Sequence, residues 1–131
     1  MSKVPAPIPV EAERIGKASL DAAFEVHSIL GPGFLERVYE EALCYELARR
    51  SVPFERQKAI TVPYKNLRIE GQRLDLLVGG WVIAGIKAVE EIHPVHQMQV
   101  ISYLRATGLR FGFLINFNVA HLKDGIRRIV L

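Results

Sequence analysis

The chain has a single cysteine and no long apolar run, and these two shortages exclude whole classes of protein. Cys44 has no second cysteine with which to form an internal disulfide, a zinc site or a redox pair. Every apolar stretch is interrupted by charge or glycine well before the roughly 20 residues that a membrane-spanning helix needs. The N-terminus also lacks a signal-peptide pattern. The sequence therefore predicts a cytoplasmic protein with no membrane partner.

Motifs that mark several common enzyme classes are missing as well. The sequence contains no glycine-rich phosphate loop, no Ser-His-Asp set and no cysteine nucleophile. Its charge is nearly balanced, with 17 Lys and Arg against 14 Asp and Glu and a net charge of +3 at pH 7. This mildly basic balance permits binding to a polyanion but does not demonstrate it.

The length and composition are typical of one globular domain. The 131 residues are 50% hydrophobic and 24% charged, which is enough apolar material for a single core. Alternating prolines near the start predict that residues 1–9 form a flexible, extended arm. We therefore expect one folded domain over residues 10–131.

The spacing of apolar residues predicts the elements of this domain. A helix over residues 10–30 stops at a Gly-Pro-Gly turn, and a second helix runs from residue 34 or 35 to about Arg50, with Cys44 as a small core residue. Strands follow at 54–64, 67–78 and 81–89 as a β-meander, then a helix at 95–107 and strands at 110–117 and 122–131. The order ααβββαββ predicts an α/β fold with a mixed β-sheet flanked by helices. The last strand offers an edge at which a second copy could pair to give a homodimer.

Two charged residues stand inside apolar strands and need an explanation. Asp75 and Lys87 lie in the second and third predicted strands, where an unpaired charge would cost several kcal/mol. One explanation is an ion pair between them or exposure at a strand end, and the other is a functional cleft.

The turn between these two strands distinguishes the explanations. A two-residue turn at Gly79-Gly80 would place Asp75 opposite Ala84 and direct Lys87 to the other face of the sheet. A three-residue turn that includes Trp81, or a β-bulge, would bring the two charged residues to one face. A functional cleft therefore predicts an irregular hairpin.

Three short motifs follow one another along the chain. Residues 33–39 read GxxExxY, Asp75 is followed after a hairpin by x-x-Lys87, and residues 99–103 read QxxxY. Together they resemble the PD-(D/E)xK nuclease superfamily, in which GxxExxY names one branch and QxxxY occurs in RecB-like nucleases. The resemblance extends over nearly all of residues 10–131. It implies a restriction-endonuclease-like fold and hydrolysis of nucleic-acid phosphodiesters with Mg²⁺ or Mn²⁺, with DNA preferred to RNA as the partner.

The same resemblance implies the roles of individual residues. In such enzymes carboxylates hold the metal ion, and a lysine orients the nucleophile or stabilises charge. Carried over, Asp75 and Glu36 become the metal ligands, and Lys87, Gln99 and Tyr103 complete the catalytic set. Gln99 and Tyr103 share one helix face because they are four residues apart.

One position departs from the family pattern. Two residues before Lys87, where the family has Glu or Asp, this sequence has Gly85. Since Mg²⁺ is held by few protein carboxylates, this loss should weaken the site, and we expect impaired or absent hydrolysis. Three explanations remain open: an inactive homologue that binds nucleic acid or another protein, a compensating carboxylate such as Glu36, or a substitution peculiar to this chain.

Structural roles also remain open for four residues of these motifs and their surroundings. Glu36 could be a solvated first-turn residue that suits the helix dipole, and Tyr39 could be a core aromatic. His93 and His96 are spaced like a metal pair, but no third ligand lies close in sequence. We expect these histidines to cap a helix or lie at the surface, with His96 near the cleft.

Overall fold

The computed structural model describes residues 6–131, so residues 1–5 of the predicted arm lie outside the described residues. The element order is the predicted one. The elements are α1 Val10–Leu30, α2 Glu36–Arg49, β1 Phe54–Tyr64, β2 Leu67–Val78, β3 Val82–Lys87, α3 Pro94–Thr107, β4 Phe111–Asn116, a short 3₁₀ helix Leu122–Gly125, and β5 Ile126–Val130. In the described part of the arm, Ile8 packs against the core and Pro9 precedes α1.

The five strands form one mixed sheet in the order β1-β2-β3-β4-β5. The first three are antiparallel neighbours, as a β-meander requires. The connection through α3 makes β3 and β4 parallel, and β5 returns antiparallel to β4. The predicted mixed sheet is therefore confirmed, and β1 and β5 form its two edges.

Helices cover both faces of this sheet. On one face α1 and α2 contribute to the larger core cluster, which includes Tyr39 and Phe117, and Cys44 is buried there at 8% exposure. On the other face α3 packs Val100 and Leu104 against the sheet. Burial raises the pKa of the Cys44 thiol to about 11, which fits the predicted role of a small core residue. Over residues 6–131, no helix has the length and apolarity to cross a membrane.

The predicted strand ends were less accurate than the order of the elements. The third strand is shorter than predicted because Trp81 belongs to the preceding turn and Val89 bonds to the side chain of Asn116 instead of a neighbouring strand. The prediction of a strand over all of 122–131 was wrong, since residues 122–125 form a 3₁₀ helix. Gly125 there approaches the Asn116 carbonyl so closely that a side chain would collide with it.

Candidate active site

The hairpin between β2 and β3 has the irregular turn that a functional cleft predicts. Val78 pairs with Val82, so the connection contains three residues, 79–81, and includes Trp81. The antiparallel pairs then end at Leu76 and Ala84. Continuing this register by one residue sets Asp75 beside Gly85, the arrangement that brings Asp75 and the end of β3 together.

The Asp75 carboxylate lies where the two strands stop pairing. The Ile86 backbone N–H donates to its Oδ2 at 2.8 Å, so a side chain accepts a bond that would otherwise go to a strand carbonyl. Burial raises the pKa of Asp75, and the negative charge of Glu40 raises it further. The Ile86 N–H and the positive charge of Lys87 act in the opposite direction.

Lys87 is the last residue of β3, and its backbone is held firmly. The Phe117 N–H donates to the Lys87 carbonyl at 2.9 Å. The Asn116 side chain then accepts from the Val89 N–H and donates to the Val89 carbonyl, both at 3.0 Å. No direct ion pair joins Lys87 to Asp75, although both residues are described. The ion-pair explanation of these two charges is therefore wrong.

Glu36 enters the same environment from the first turn of α2. Burial raises the pKa of its carboxyl; the positive charge of Lys87 lowers that pKa, and the negative charges of Asp75 and Glu40 raise it. Glu36 itself is exposed at the start of α2.

Tyr39 positions the turn before Glu36. Its hydroxyl donates to the Gly31 carbonyl at 2.6 Å and accepts from the Phe34 N–H at 3.1 Å. Its ring is fully buried and stacks on Phe117, with centroids 4.7 Å apart. Tyr39 is thus a core aromatic, and it also closes the connection between α1 and α2.

The residues of α3 complete the border of the cleft. Gln99 is exposed, and the Tyr103 hydroxyl accepts from Gln72 Nε2 at 2.8 Å. Burial and the negative charge of Asp75 raise the pKa of the Tyr103 phenol. At the start of the helix, the imidazole Nδ1 of His96 accepts from the His93 N–H at 3.0 Å, so capping by this pair is confirmed. Burial lowers the pKa of His96, and the positive charge of Lys87 lowers it further.

Two polar residues beside the cleft were missed by the sequence analysis. Glu40 is buried, and its two oxygens accept from Arg56 Nε and Gln57 Nε2, each at 2.8 Å. The Gln57 backbone has a left-handed φ of 51° inside a strand. The four-residue spacing from Glu36 to Glu40 was a usable signal. Nothing in the sequence marks Gln57, because only the tertiary fold imposes its conformation.

Gly85 faces α3, where little room remains for a side chain. A Cβ built on Gly85 would lie 3.2 Å from Val100 Cγ2 and 3.7 Å from Leu114 Cδ1. The first of these distances requires Val100 to shift by a few tenths of an ångström. The space that a longer residue would enter is therefore already partly filled by α3.

The donors of the cleft fit a divalent cation only in part. Mg²⁺ binds oxygen ligands and is commonly held by one or two carboxylates together with water. Asp75 and Glu36 could supply two carboxylates, and burial raises the pKa of both. Glu40 is already held by hydrogen bonds from Arg56 and Gln57, one to each of its oxygens. Within residues 6–131, no group of three or more His, Cys, Asp or Glu has metal-binding geometry.

Comparison with known families agrees with this architecture. The family model described as the PD-(D/E)XK nuclease superfamily matches residues 13–129, a range that extends from α1 to β5 and contains the whole cleft. Searches of curated proteins and of solved structures gave no match. Since the family match covers most of the chain, the protein belongs to the PD-(D/E)XK nuclease superfamily.

Proposed function

We propose that the cleft formed by β2, β3 and the start of α2 acts on phosphodiesters of nucleic acid, and that Gly85 impairs their hydrolysis. The observation that carries this proposal is geometric: the three-residue turn sets Asp75 beside Gly85, two residues before Lys87, and the Asp75 carboxylate accepts from the Ile86 N–H. In the proposed site the carboxyls of Asp75 and Glu36 act together with the Lys87 ammonium. Such a site suits a cation and a phosphate together.

The remaining cleft residues have roles that follow from their chemistry. Mg²⁺ or Mn²⁺, held by Asp75 and Glu36, would lower the pKa of a bound water and neutralise phosphate charge. The Lys87 ammonium would orient the nucleophile or stabilise developing charge. Gln99 and Tyr103 would donate hydrogen bonds to a phosphate from the α3 side. Their spacing, together with the GxxExxY motif of α2, supports assignment to the GxxExxY, RecB-like branch.

An inactive protein that binds nucleic acid, or another protein, is the alternative. One observation favours it: Val100 partly occupies the space into which a residue 85 carboxylate would extend. A chain whose α3 has settled against Gly85 would keep its phosphate-binding groups while lacking the second strand carboxylate.

Restoring the carboxylate tests the proposal. We expect Gly85→Glu combined with Val100→Ala, which removes the obstructing methyl groups, to cut labelled DNA or RNA with Mg²⁺ or Mn²⁺ at least ~100-fold faster than the wild type. That ratio corresponds to about 2.7 kcal/mol of transition-state stabilisation. The measurement is single-turnover cleavage on a denaturing gel.

The matched control carries Gly85→Gln with the same Val100→Ala, so it has the same shape without the charge. Cleavage by the Glu variant that does not exceed cleavage by the Gln variant would show that residue 85 is not a metal-ligand position. If neither variant nor the wild type binds or cuts DNA or RNA, the nucleic-acid function is lost as well.

A further inference from the structure

Two strands of the sheet extend beyond the others as a ribbon. β2 pairs with β3 only over residues 76–78, whereas it pairs with β1 from Leu67 onward. Every residue from 63 to 73 is exposed. Residues 67–72 alone span about 20 Å at ~3.4 Å per residue. We call residues 58–73 the β1–β2 ribbon.

The β1–β2 ribbon holds a charge equal to the net charge of the whole chain. It contains Lys58, Lys65, Arg68 and Arg73 against one acid, Glu70, which gives +3. The complete sequence is also +3, so the charges outside the ribbon cancel. The total charge of the sequence does not reveal this concentration, because these residues form one surface only when the hairpin folds.

At least two of these cations are free of acidic partners. Neither Lys65 nor Arg68 forms an ion pair with another residue in the described range 6–131. By contrast, every lysine and arginine of α1 and α2 is paired with an acid: Arg14, Lys17, Arg37 and Arg49. Free exposed cations attract phosphate groups more strongly than neutralised ones.

The base of the β1–β2 ribbon is joined to the candidate active site. Gln72 Nε2 donates to the Tyr103 hydroxyl at 2.8 Å. The Arg73 guanidinium donates to the Gln57 carbonyl at 3.1 Å, and the Gln57 side chain donates to Glu40 at 2.8 Å. A polyanion held along the ribbon would therefore lead into the cleft.

We propose that the β1–β2 ribbon binds in the major groove of duplex DNA and directs a backbone phosphate to the cleft, an inference that rests on the proposed function. The B-form major groove admits a two-stranded β-ribbon. The major groove of A-form RNA is deep and too narrow for side chains to enter. Exposed Tyr64 and Leu67 near the tip supply apolar surface for base edges such as the thymine methyl group.

Salt dependence of binding tests the surface directly. The probe is a labelled 20-base-pair DNA duplex, titrated by fluorescence anisotropy in EDTA at several salt concentrations, and the variant is Lys65→Gln with Arg68→Gln. The logarithm of the binding constant falls linearly with the logarithm of the salt concentration, and each lost phosphate contact makes this slope less steep by about 0.9. We therefore expect the slope of the variant to be less steep by about 1.8. The control, Lys17→Gln with Lys123→Gln, removes the same charge from the surface between α1 and β5 and should leave the slope unchanged.

Several outcomes would overturn this proposal. They are an unchanged slope in the ribbon variant, an equal loss in the control, or an RNA duplex of the same sequence that binds as tightly as DNA. Light scattering that shows a dimer, broken by Leu67→Ser with DNA binding unaltered, would assign the ribbon to self-association. If the ribbon variant binds DNA normally while Lys87→Gln binds it weakly, the proposed function of the cleft stands and the ribbon proposal fails. If the wild type binds no DNA, the ribbon proposal fails as well.

Discussion

Burial disfavours the ionised form of the two cleft carboxyls, so the stability of the protein should depend on pH. The pKa values of Asp75 and Glu36 in the folded chain are raised above their ordinary values of 3.8 and 4.5. The folded state therefore holds these protons more tightly than the unfolded chain does. The resulting stability is fully present below the ordinary pKa values and is lost as the pH rises through the raised ones.

Neutralising Asp75 should therefore stabilise the protein at neutral pH. We expect Asp75→Asn to raise the free energy of unfolding at pH 7 by about 1 kcal/mol, the usual size of a stabilising substitution at a functional site. The amide oxygen can still accept from the Ile86 N–H. Denaturant unfolding at a series of pH values is the measurement, and the gain should shrink as the pH falls and disappear below pH 3.8, where the wild-type carboxyl is protonated in both states.

Asp124→Asn is the control for this prediction, because Asp124 is exposed and lies outside the cleft. A loss of stability at pH 7 in Asp75→Asn, or a gain that persists at pH 3, would contradict the account of Asp75 as a carboxyl held at a cost.

At the scale of the elements, the connection between α1 and α2 determines where Glu36 lies. Gly31 ends α1 with a φ of 65°, and the Tyr39 hydroxyl bridges the Gly31 carbonyl and the Phe34 N–H. Four residues of chain are thus tied to the buried ring of Tyr39. The first turn of α2, which contains Glu36, is therefore held in a fixed position.

Removing this hydroxyl should loosen the connection without emptying the core. We expect Tyr39→Phe to lower the free energy of unfolding by about 1–2 kcal/mol, since two hydrogen bonds to backbone groups are lost while the ring is kept. Hydrogen exchange of the amides of residues 31–36 should become faster. Tyr45→Phe is the matched control, because that side chain is on the same helix and is 64% exposed; equal effects in both variants would refute the bridging role.

The sequence predicted the type and order of the elements because their signals are local. Apolar spacing marked the helices, and Gly31 marked the end of α1. The end of β3 was not predictable, because the Asn116 side chain captures the Val89 backbone from a distant part of the chain. The three-residue turn between β2 and β3 could be predicted from the sequence, because a functional cleft requires an irregular hairpin there.

At the scale of the whole molecule, the sheet and α3 together define what the cleft contains. The register of β2 and β3 brings Asp75 beside Gly85, two residues before Lys87, while Glu36 comes from α2 and Gln99 and Tyr103 come from α3. Three features lay beyond sequence reasoning: the engagement of both Glu40 oxygens, the left-handed Gln57, and the contact that Val100 makes towards Gly85. Each depends on residues that are far apart in the chain and meet only after folding.

The central claim is that Asp75 and Glu36 belong to one divalent-cation site facing Lys87. Anomalous diffraction from Mn²⁺-soaked crystals of the wild type and of Gly85→Glu with Val100→Ala tests it most directly. The account predicts an anomalous peak in contact with both carboxylates, weak in the wild type and strong in the variant. A saturating soak that shows no peak at these two carboxylates in either crystal would contradict it.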